Sequence, residues 1–341
     1  VLQVDLDCDY DRSQVMAQLP TRAWWYRDHV RVVQLDARNS TGPCPARAMA
    51  QLLYRGERFV LQIDSHMRFR QNWDTYLIEQ LTQHCSNPRY SILTAYPVGY
   101  ELSSCAKGTS SKDSFHVPNN ETRGTALVPW KFDSDGMLRQ KGKLLGPECS
   151  EPVLCQMFAA GFCFGMAEWM MQDCPYDGKL HHFFFGEEQS MAVRLYTHGY
   201  DMYAPPESVC YHLWSRSHRP PPPTTAITGS RTDGTMSQKQ MFRQKSQEIV
   251  RRQLEGYNGL GMGCKRTVDD WARSLKVDLV NKTVEHDNTV ADELKIGQEG
   301  QESKSLSAIE ACLLPVRKGS DQPSLDIFEG DALKAIRAFL G

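Results

Sequence analysis

The sequence predicts an α/β protein in which a mostly parallel sheet is flanked by helices. Short runs of branched and aromatic residues, typical of strands, recur along the chain, and 59–63 is the clearest of them. The stretch 46–54 holds strong helix formers behind Pro45, and 73–81 has apolar residues at helical spacing. Helices that alternate with strands build mostly parallel sheets. The other predicted strands are 1–5, 30–35, 90–95, 126–132, 200–204 and 209–214.

The composition is that of a globular protein. The chain has 341 residues, of which 40% are hydrophobic and 23% are charged. A formal net charge of -2 creates no overall field that would recruit nucleic acid or a membrane surface, so no nucleic-acid partner is expected. Because no run of eighteen apolar residues occurs, no segment is expected to span a bilayer.

The cysteines favour a reducing compartment. Eleven is an odd number, and no Cys-x-x-Cys pair occurs, which argues against a zinc ribbon and against a complete disulfide framework. Asn-x-Ser/Thr tripeptides at Asn39, Asn120 and Asn281 favour a secretory lumen instead. The chain begins at Val1, so a preceding leader or anchor is compatible with that alternative.

The candidate site begins where the 59–63 run ends. Asp64 and His66 follow this predicted buried strand, and residues two apart on a strand point to the same side. A carboxylate and an imidazole facing one cleft suit a divalent cation, with Mn²⁺ or Mg²⁺ favoured by oxygen and Zn²⁺ by nitrogen. His212, at the end of another predicted strand, is a candidate third ligand. The alternatives are a surface turn capped by Asp64 and a purely structural His212.

Two further segments have the composition of a binding cleft. Gly161 and Gly165 lie in an apolar block at 158–167, where they permit either close approach of a ligand or tight core packing. Glu187 and Glu188 follow Gly186 at a predicted helix start, where the helix dipole favours acidic residues. One of the two glutamates is therefore either a helix-start residue or a group that projects into the cleft.

Several blocks together resemble one enzyme family, the polypeptide N-acetylglucosaminyltransferases. This family includes a cytoplasmic enzyme that modifies a hydroxyproline of a ubiquitin-ligase adaptor, and Golgi enzymes of protists. The resemblance covers roughly residues 1–281. It rests on Ala46-Arg-Ala, Tyr54-Arg-Gly-Glu-Arg-Phe-Val-Leu-Gln-Ile-Asp-Ser-His-Met-Arg-Phe69, Trp73-Asp74, Phe184-Phe-Gly-Glu-Glu188, Arg194-Leu-Tyr-Thr-His-Gly-Tyr-Asp-Met-Tyr-Ala-Pro205, Tyr211-His-Leu-Trp-Ser-Arg216, Tyr257-Asn-Gly-Leu-Gly and Arg266-Thr267.

The resemblance implies a GT-A-type nucleotide-sugar transferase fold and a retaining, metal-dependent transfer of N-acetylglucosamine from UDP-GlcNAc to a protein hydroxyl of hydroxyproline, Ser or Thr. An Asp-x-His motif replaces the usual Asp-x-Asp in such enzymes. It implies a metal site for Mn²⁺ or Mg²⁺ at Asp64, His66 and His212, and catalytic roles for Glu187 and Glu188. The implied substrate-binding residues are Arg47, which would lie near the donor phosphates, Arg68, Trp73, Gly161 and Trp214.

The same resemblance divides the chain into three parts. Residues 1–219 are expected to form the catalytic domain, and 220–281 a C-terminal helical extension of it, with a polyproline break at 220–223. Residues 282–341 are expected to be a polar linker and an amphipathic terminal helix. Family members carry an earlier strand and helix that grip the uridine, so the first strand is expected to be missing from this chain.

Two other functions stay open at the level of sequence. The chain could be a non-catalytic relative that acts as a binding or scaffold protein, or a metal hydrolase that uses Asp64, His66 and His212 around an activated water. The expected partners are the UDP-GlcNAc donor, an acceptor protein and, as an alternative, a second copy of the chain in a homodimer. The expected location is cytoplasmic, with the Golgi lumen as the alternative.

Overall fold

The computed structural model describes residues 2–5, 31–35, 40–102, 115–214, 237–257 and 259–285. The polyproline break and, from 286 onward, the predicted linker and terminal helix of 282–341 lie outside these ranges. Among the described residues, no helix has both the length and the apolar character needed to cross a bilayer.

The central element is a five-stranded sheet, and its presence with surrounding helices confirms the predicted α/β class. Its strands occur in the spatial order β11, β13, β5, β12 and β3. In chain order these are β3 (Phe59–Ile63), β5 (Ser91–Thr94), β11 (Val153–Leu154), β12 (Phe162–Met166) and β13 (Asp201–Ala204).

The sheet is mixed, which differs from the predicted mostly parallel arrangement. Only β13 and β5 pair in parallel, whereas β12 runs antiparallel to both β5 and β3, and β11 runs antiparallel to β13. Parallel neighbours need a crossover, usually a helix. In the described part of the chain, β5 and β12 are instead separated by an antiparallel hairpin of β9 (Thr125–Phe132) and β10 (Leu138–Leu144). No helical crossover therefore imposes a parallel direction on β12.

The prediction that 59–63 is a buried strand was wrong in its burial, although its bounds are confirmed. Among the described strands, β3 pairs only with β12, so it lies at the edge of the sheet. Its first four side chains are partly exposed and Ile63 is exposed. A continuous apolar run does not distinguish a central strand from an edge strand.

A second, three-stranded sheet carries the predicted histidines. Its order is β4 (Met67–Phe69), β14 (Cys210–His212) and β6 (Val98–Gly99), with β14 antiparallel to β4 and parallel to β6. Three two-stranded pairs complete the described strands: β1 (Leu2–Asp5) with β2 (Val32–Leu35), β7 (Glu101–Leu102) with β8 (Phe115–His116), and β15 (Val277–Asp278) with β16 (Thr283–Val284).

Five α-helices occur in the described residues, and the predicted segments 46–54 and 73–81 and the predicted helix start at Glu187 each match one of them to within a few residues. Helix α4 starts with a capping box in which Ser237 and Gln240 exchange hydrogen bonds, and Thr267 caps α5. The helices are α1 (Pro43–Gln51), α2 (Trp73–Glu79), α3 (Glu187–Thr197), α4 (Gln238–Leu254) and α5 (Val268–Ser274).

The main core lies between the central sheet and helices α3 to α5. Phe158, Trp169 and Trp271 are among its fully buried side chains. The indole of Trp271 donates to the carbonyl of Gln156 at 2.8 Å. These contacts pack the described part of 237–285 against the body of the protein, whereas the predicted division into three parts stays a prediction.

Candidate active site

Three elements contribute to the site. Arg47 lies in α1, Asp64 follows β3, and Glu187 is the first residue of α3. One guanidinium nitrogen of Arg47, Nη2, donates to Asp64 Oδ1 at 3.1 Å, and the other, Nη1, donates to Glu187 Oε1. A single cation therefore joins two carboxylates that are far apart in the sequence.

The two carboxylates face different environments. The Asp64 side chain is 43% exposed and faces solvent, whereas that of Glu187 is 3% exposed. Contact with His212 and the charge of Arg47 lower the pKa of Asp64, so this group stays ionised near neutral pH. Burial raises the pKa of Glu187, and Arg47 opposes that effect. The buried Glu187 thus fixes Arg47 from the protein interior, while Asp64 is accessible to a ligand.

The donor atoms around Asp64 partly fit the predicted metal ion. His212 Nε2 lies 3.7 Å from Asp64 Oδ2, which is too long for a hydrogen bond. Two ligands that each lie about 2.0–2.2 Å from one ion are roughly 3–4 Å apart, so this gap suits a shared cation. The other nitrogen of His212, Nδ1, is buried and has no hydrogen-bond partner in the structure.

His66 stands beside this pair without completing it. Its ring centroid lies 5.3 Å from that of His212, and Ser65 Oγ lies 2.6 Å from His66 Nδ1. Within the described ranges, no three His, Cys, Asp or Glu side chains meet closely enough to hold an ion by themselves. A hard cation that also takes oxygens from a diphosphate needs only one or two protein carboxylates, so Asp64 with His212 remains a workable half-site.

Gly161 provides the space that Asp64 occupies. A Cβ at this position would lie 2.9 Å from Asp64 Oδ2, closer than real contacts allow, and the Gly161 carbonyl accepts the Asp64 N–H at 3.1 Å. At Gly165 the packing alternative applies, since a Cβ there would lie 2.8 Å from the Trp169 indole nitrogen. The first glycine therefore shapes the site, and the second shapes the core.

Glu188 is the centre of a separate hydrogen-bond network. Its Oε2 accepts from the Tyr96 hydroxyl at 2.5 Å and from the Gln140 amide at 3.2 Å, and its Oε1 accepts from the Ala160 N–H at 3.0 Å. Gln140 also donates to the Phe158 carbonyl at 2.8 Å. Burial raises the pKa of Glu188 to about 7, and the hydrogen bonds from Tyr96 and Ala160 limit the rise. Glu188 is held rigidly and titrates near neutral pH.

Trp214 extends the site toward solvent. Its side chain is 53% exposed, its ring lies 4.2 Å from His212 between centroids, and its indole N–H donates to the Pro97 carbonyl at 3.1 Å. It also meets Tyr96 edge-on at 6.1 Å. An exposed, fixed aromatic ring between the histidine and the Glu188 network is suited to binding a ring rather than to core packing.

Two predicted substrate-binding residues, Arg68 and Trp73, make their contacts outside the site. Trp73 packs on Phe69 with ring centroids 4.9 Å apart, against a second group of buried residues that includes Leu77 and Leu81. The Arg68 guanidinium lies over the Tyr100 ring at 5.8 Å, and its Nη1 lies 3.5 Å from the Met67 carbonyl. The structure thus brings together seven of the ten predicted site residues in chains of direct contacts: Arg47, Asp64, Gly161, Glu187, His66, His212 and Trp214.

Sequence reasoning missed three residues that shape the site. Tyr96 and Gln140 bind Glu188, and Tyr176 lies under Arg47 with its ring centroid 5.6 Å from the guanidinium carbon. Tyr176 also contacts the buried Glu187 carboxylate. Tyr96 follows a predicted strand end, which was a usable signal, but Gln140 and Tyr176 lie in segments with no distinguishing pattern.

Comparison with known proteins identifies the class. The family described as "Glycosyltransferase (GlcNAc)" matches residues 5–281, and the chain belongs to this family. The protein is therefore a member of a glycosyltransferase family, as its sequence blocks suggested.

At the level of particular proteins, a solved structure of GalNAc-T7 with UDP, GalNAc and Mn²⁺ is similar to this chain. It shares 15% sequence identity and a TM-score of 0.47 over 88% of this chain and 49% of that one, so the present chain spans about half the length of the matched structure. No curated protein matches the sequence.

The Arg47–Glu187 pair is expected to contribute strongly to stability. Arg47→Met leaves a buried carboxylate without its cation, which typically costs about 3–5 kcal/mol of unfolding free energy. Glu187→Gln in the same chain should recover part of that loss, because the uncompensated charge is gone. Urea unfolding of both single variants and the double variant measures the coupling. Additive losses would show that the two side chains do not act as a pair.

Glu188 is expected to make stability depend on pH. Its pKa is about 7 in the folded protein against an ordinary 4.5, so the folded state keeps a proton that the unfolded state releases in this window. Stability of the native protein should therefore fall, relative to Glu188→Gln, as pH rises from about 4.5 to about 7. Unfolding free energies of both proteins at several pH values check this. Parallel curves would contradict the raised pKa.

Proposed function

We propose that this protein is a metal-dependent, retaining glycosyltransferase that moves N-acetylglucosamine from UDP-GlcNAc to a protein hydroxyl of hydroxyproline, Ser or Thr. The observation that carries the proposal is the bridge from Glu187 through Arg47 to Asp64, with His212 at metal-ligand spacing on the other side of Asp64. Membership of the glycosyltransferase family supports the reaction class. The donor and acceptor come from the resemblance of the sequence blocks.

In this proposal, Asp64 and His212 hold the divalent cation, Mn²⁺ or Mg²⁺, with His66 beside them. When bound, such a cation neutralises the negative charge that develops on a departing diphosphate. Arg47 supplies a second, fixed positive charge next to Asp64, because Glu187 and Tyr176 hold the guanidinium from the buried side. Glu187 is accordingly a positioning residue rather than a group that contacts substrate.

Glu188 is proposed to orient or deprotonate the hydroxyl of the sugar or acceptor. A pKa of about 7 suits a group that exchanges a proton near neutral pH. Tyr96, Gln140 and the Ala160 N–H fix the carboxylate, so little reorganisation accompanies binding. Trp214 is proposed to stack on the sugar or acceptor ring, since its exposed face lies between His212 and Tyr96. Arg68 and Trp73 contact neither the residues around Asp64 nor the network around Glu188. They are proposed to bind substrate through the exposed parts of their side chains.

The GT-A type of the fold, the cytoplasmic location and the homodimer stay predictions. So does the possibility of a non-catalytic relative, which would keep the fold without donor binding. The experiment that separates an enzyme from a scaffold is direct measurement of donor binding.

Calorimetry of UDP binding to the 341-residue chain, with and without Mn²⁺, tests the proposal. We expect metal-dependent binding that Asp64→Asn weakens by about tenfold or more, because the variant loses a charged ligand, and about 1.4 kcal/mol corresponds to each factor of ten. Asp74→Asn, an exposed acidic residue in the first turn of α2, is the matched control and should bind UDP like the native chain.

Transfer completes the test. Incubation with UDP-GlcNAc, Mn²⁺ and a hydroxyproline peptide should give a mass increase of one N-acetylhexosamine residue, and Asp64→Asn should abolish it. A folded native sample that binds UDP neither with nor without metal would contradict the proposal and favour the scaffold alternative. Release of free sugar without a transferase product would favour the hydrolase.

A further inference from the structure

One contiguous surface outside the Arg47 cluster combines exposed aromatic rings with cations. We call it the aromatic–cationic patch and define it as Trp130, Lys131, Arg139, Phe184 and Phe185. We propose that this patch binds the acceptor polypeptide, and that the bound segment carries acidic side chains next to the modified residue. The inference rests on the proposed function, which it extends from the reacting groups to the chemistry of the acceptor.

The phenylalanines form the apolar part of the patch. Phe184 and Phe185 are 61% and 50% exposed, and their rings pack edge-to-face with centroids 5.1 Å apart. The guanidinium of Arg139 lies 3.5 Å from the Phe185 centroid. Phenylalanine and arginine are both enriched at protein interfaces relative to the rest of the protein surface.

The hairpin of β9 and β10 supplies the charged part. Arg139 lies directly opposite Lys131, and Lys131 Nζ lies 4.2 Å from the Trp130 ring. Like charges directly opposite each other destabilise a strand pair, so nearby anions stabilise this arrangement. Asp133, at 3.7 Å from Arg139, offsets one of the two charges. Lys141, two residues along the same face of β10, adds another cation.

The backbone on both sides of the exposed phenylalanines is anchored to the rest of the protein. The preceding Phe183 is buried, and a Cβ on Gly186 would collide with its ring. The His182 N–H donates to the Thr41 carbonyl at 2.5 Å, and Ser246 Oγ donates to the His181 carbonyl at 2.8 Å. Because this backbone is anchored before binding, less conformational entropy is lost on contact with a partner.

Position relative to the reacting groups favours the acceptor as the occupant. Phe185 precedes Glu187 by two residues, and Arg139 precedes Gln140, whose amide donates to Glu188. The register shifts between Arg139 and Gln140 because Trp130 of β9 has no partner on β10. Arg139 faces Phe185 while Gln140 faces Glu188. The patch and the Glu188 network therefore lie on opposite faces of β10, and Phe185 brings one edge of the patch to the segment that leads into Glu188.

Peptide binding tests this directly and needs neither donor nor transfer. The probes are two fluorescein-labelled peptides with a central hydroxyproline, one flanked by glutamates and one by lysines, measured by anisotropy against the full chain. The variants are the double substitution Phe184→Ala/Phe185→Ala and the single substitution Lys131→Glu, all at exposed positions. Tyr257→Ala is the matched control, because Tyr257 is also exposed and lies under an arginine, Arg252, at 3.9 Å.

We expect the glutamate peptide to bind, the lysine peptide to bind at least about tenfold more weakly, and both patch variants to lose about tenfold or more in affinity for the glutamate peptide. Tyr257→Ala should stay close to the native affinity. Equal binding of the two peptides, or patch variants that bind like the native chain, would overturn the inference. So would patch variants that keep peptide binding but lose binding to vesicles of phosphatidylcholine with phosphatidylserine, since the patch would then be a membrane surface.

The result of the peptide-binding test can be distinguished from the result of the UDP-binding test of the proposed function. If the native chain binds UDP with metal, but the patch variants bind the peptide as tightly as the native chain does, only this inference is contradicted. If the native chain does not bind UDP, but the patch variants lose affinity for the peptide, only the proposed transferase function is contradicted.

Discussion

The site depends on one arginine placed between two carboxylates of opposite burial. Arg47 contacts Asp64 at the solvent side and Glu187 at the core side, so one side chain joins residues from two other elements. A buried carboxylate needs a cation, and an arginine provides two parallel donors in a rigid fork. Helix α1, strand β3 and helix α3 are thereby fixed to one another at the point where the chemistry is proposed.

The mixed sheet explains how the other groups reach this point. Strand β12 runs antiparallel between β3 and β5, so its start at Phe162, next to Gly161, meets the ends of β3 and β5, where Asp64 and Tyr96 follow. The second sheet then places His212 beside Asp64, and β10 adds Gln140 to Glu188. Two groups of residues result, one around Asp64 and one around Glu188, and consecutive residues of α3 join them.

Much of this arrangement was visible in the sequence, because local signals carry it. The strand before Asp64, the helix start at Glu187 and the strand end at His212 each follow from a short pattern. Pairing does not: the direction of β12 and the edge position of β3 depend on contacts between distant segments. The roles of Gln140 and Tyr176 could not be predicted for the same reason. They arise only when the folded chain brings Gln140 to Glu188 and Tyr176 to Arg47.

The most direct test of this account is anomalous diffraction at the manganese edge from crystals grown with UDP and Mn²⁺. The account predicts a single strong peak between Asp64 and His212, the two residues that would hold the ion, with Arg47 still joined to Glu187. A peak that lies away from Asp64 while UDP is bound, or UDP bound with no peak at all, would contradict the assignment of the site.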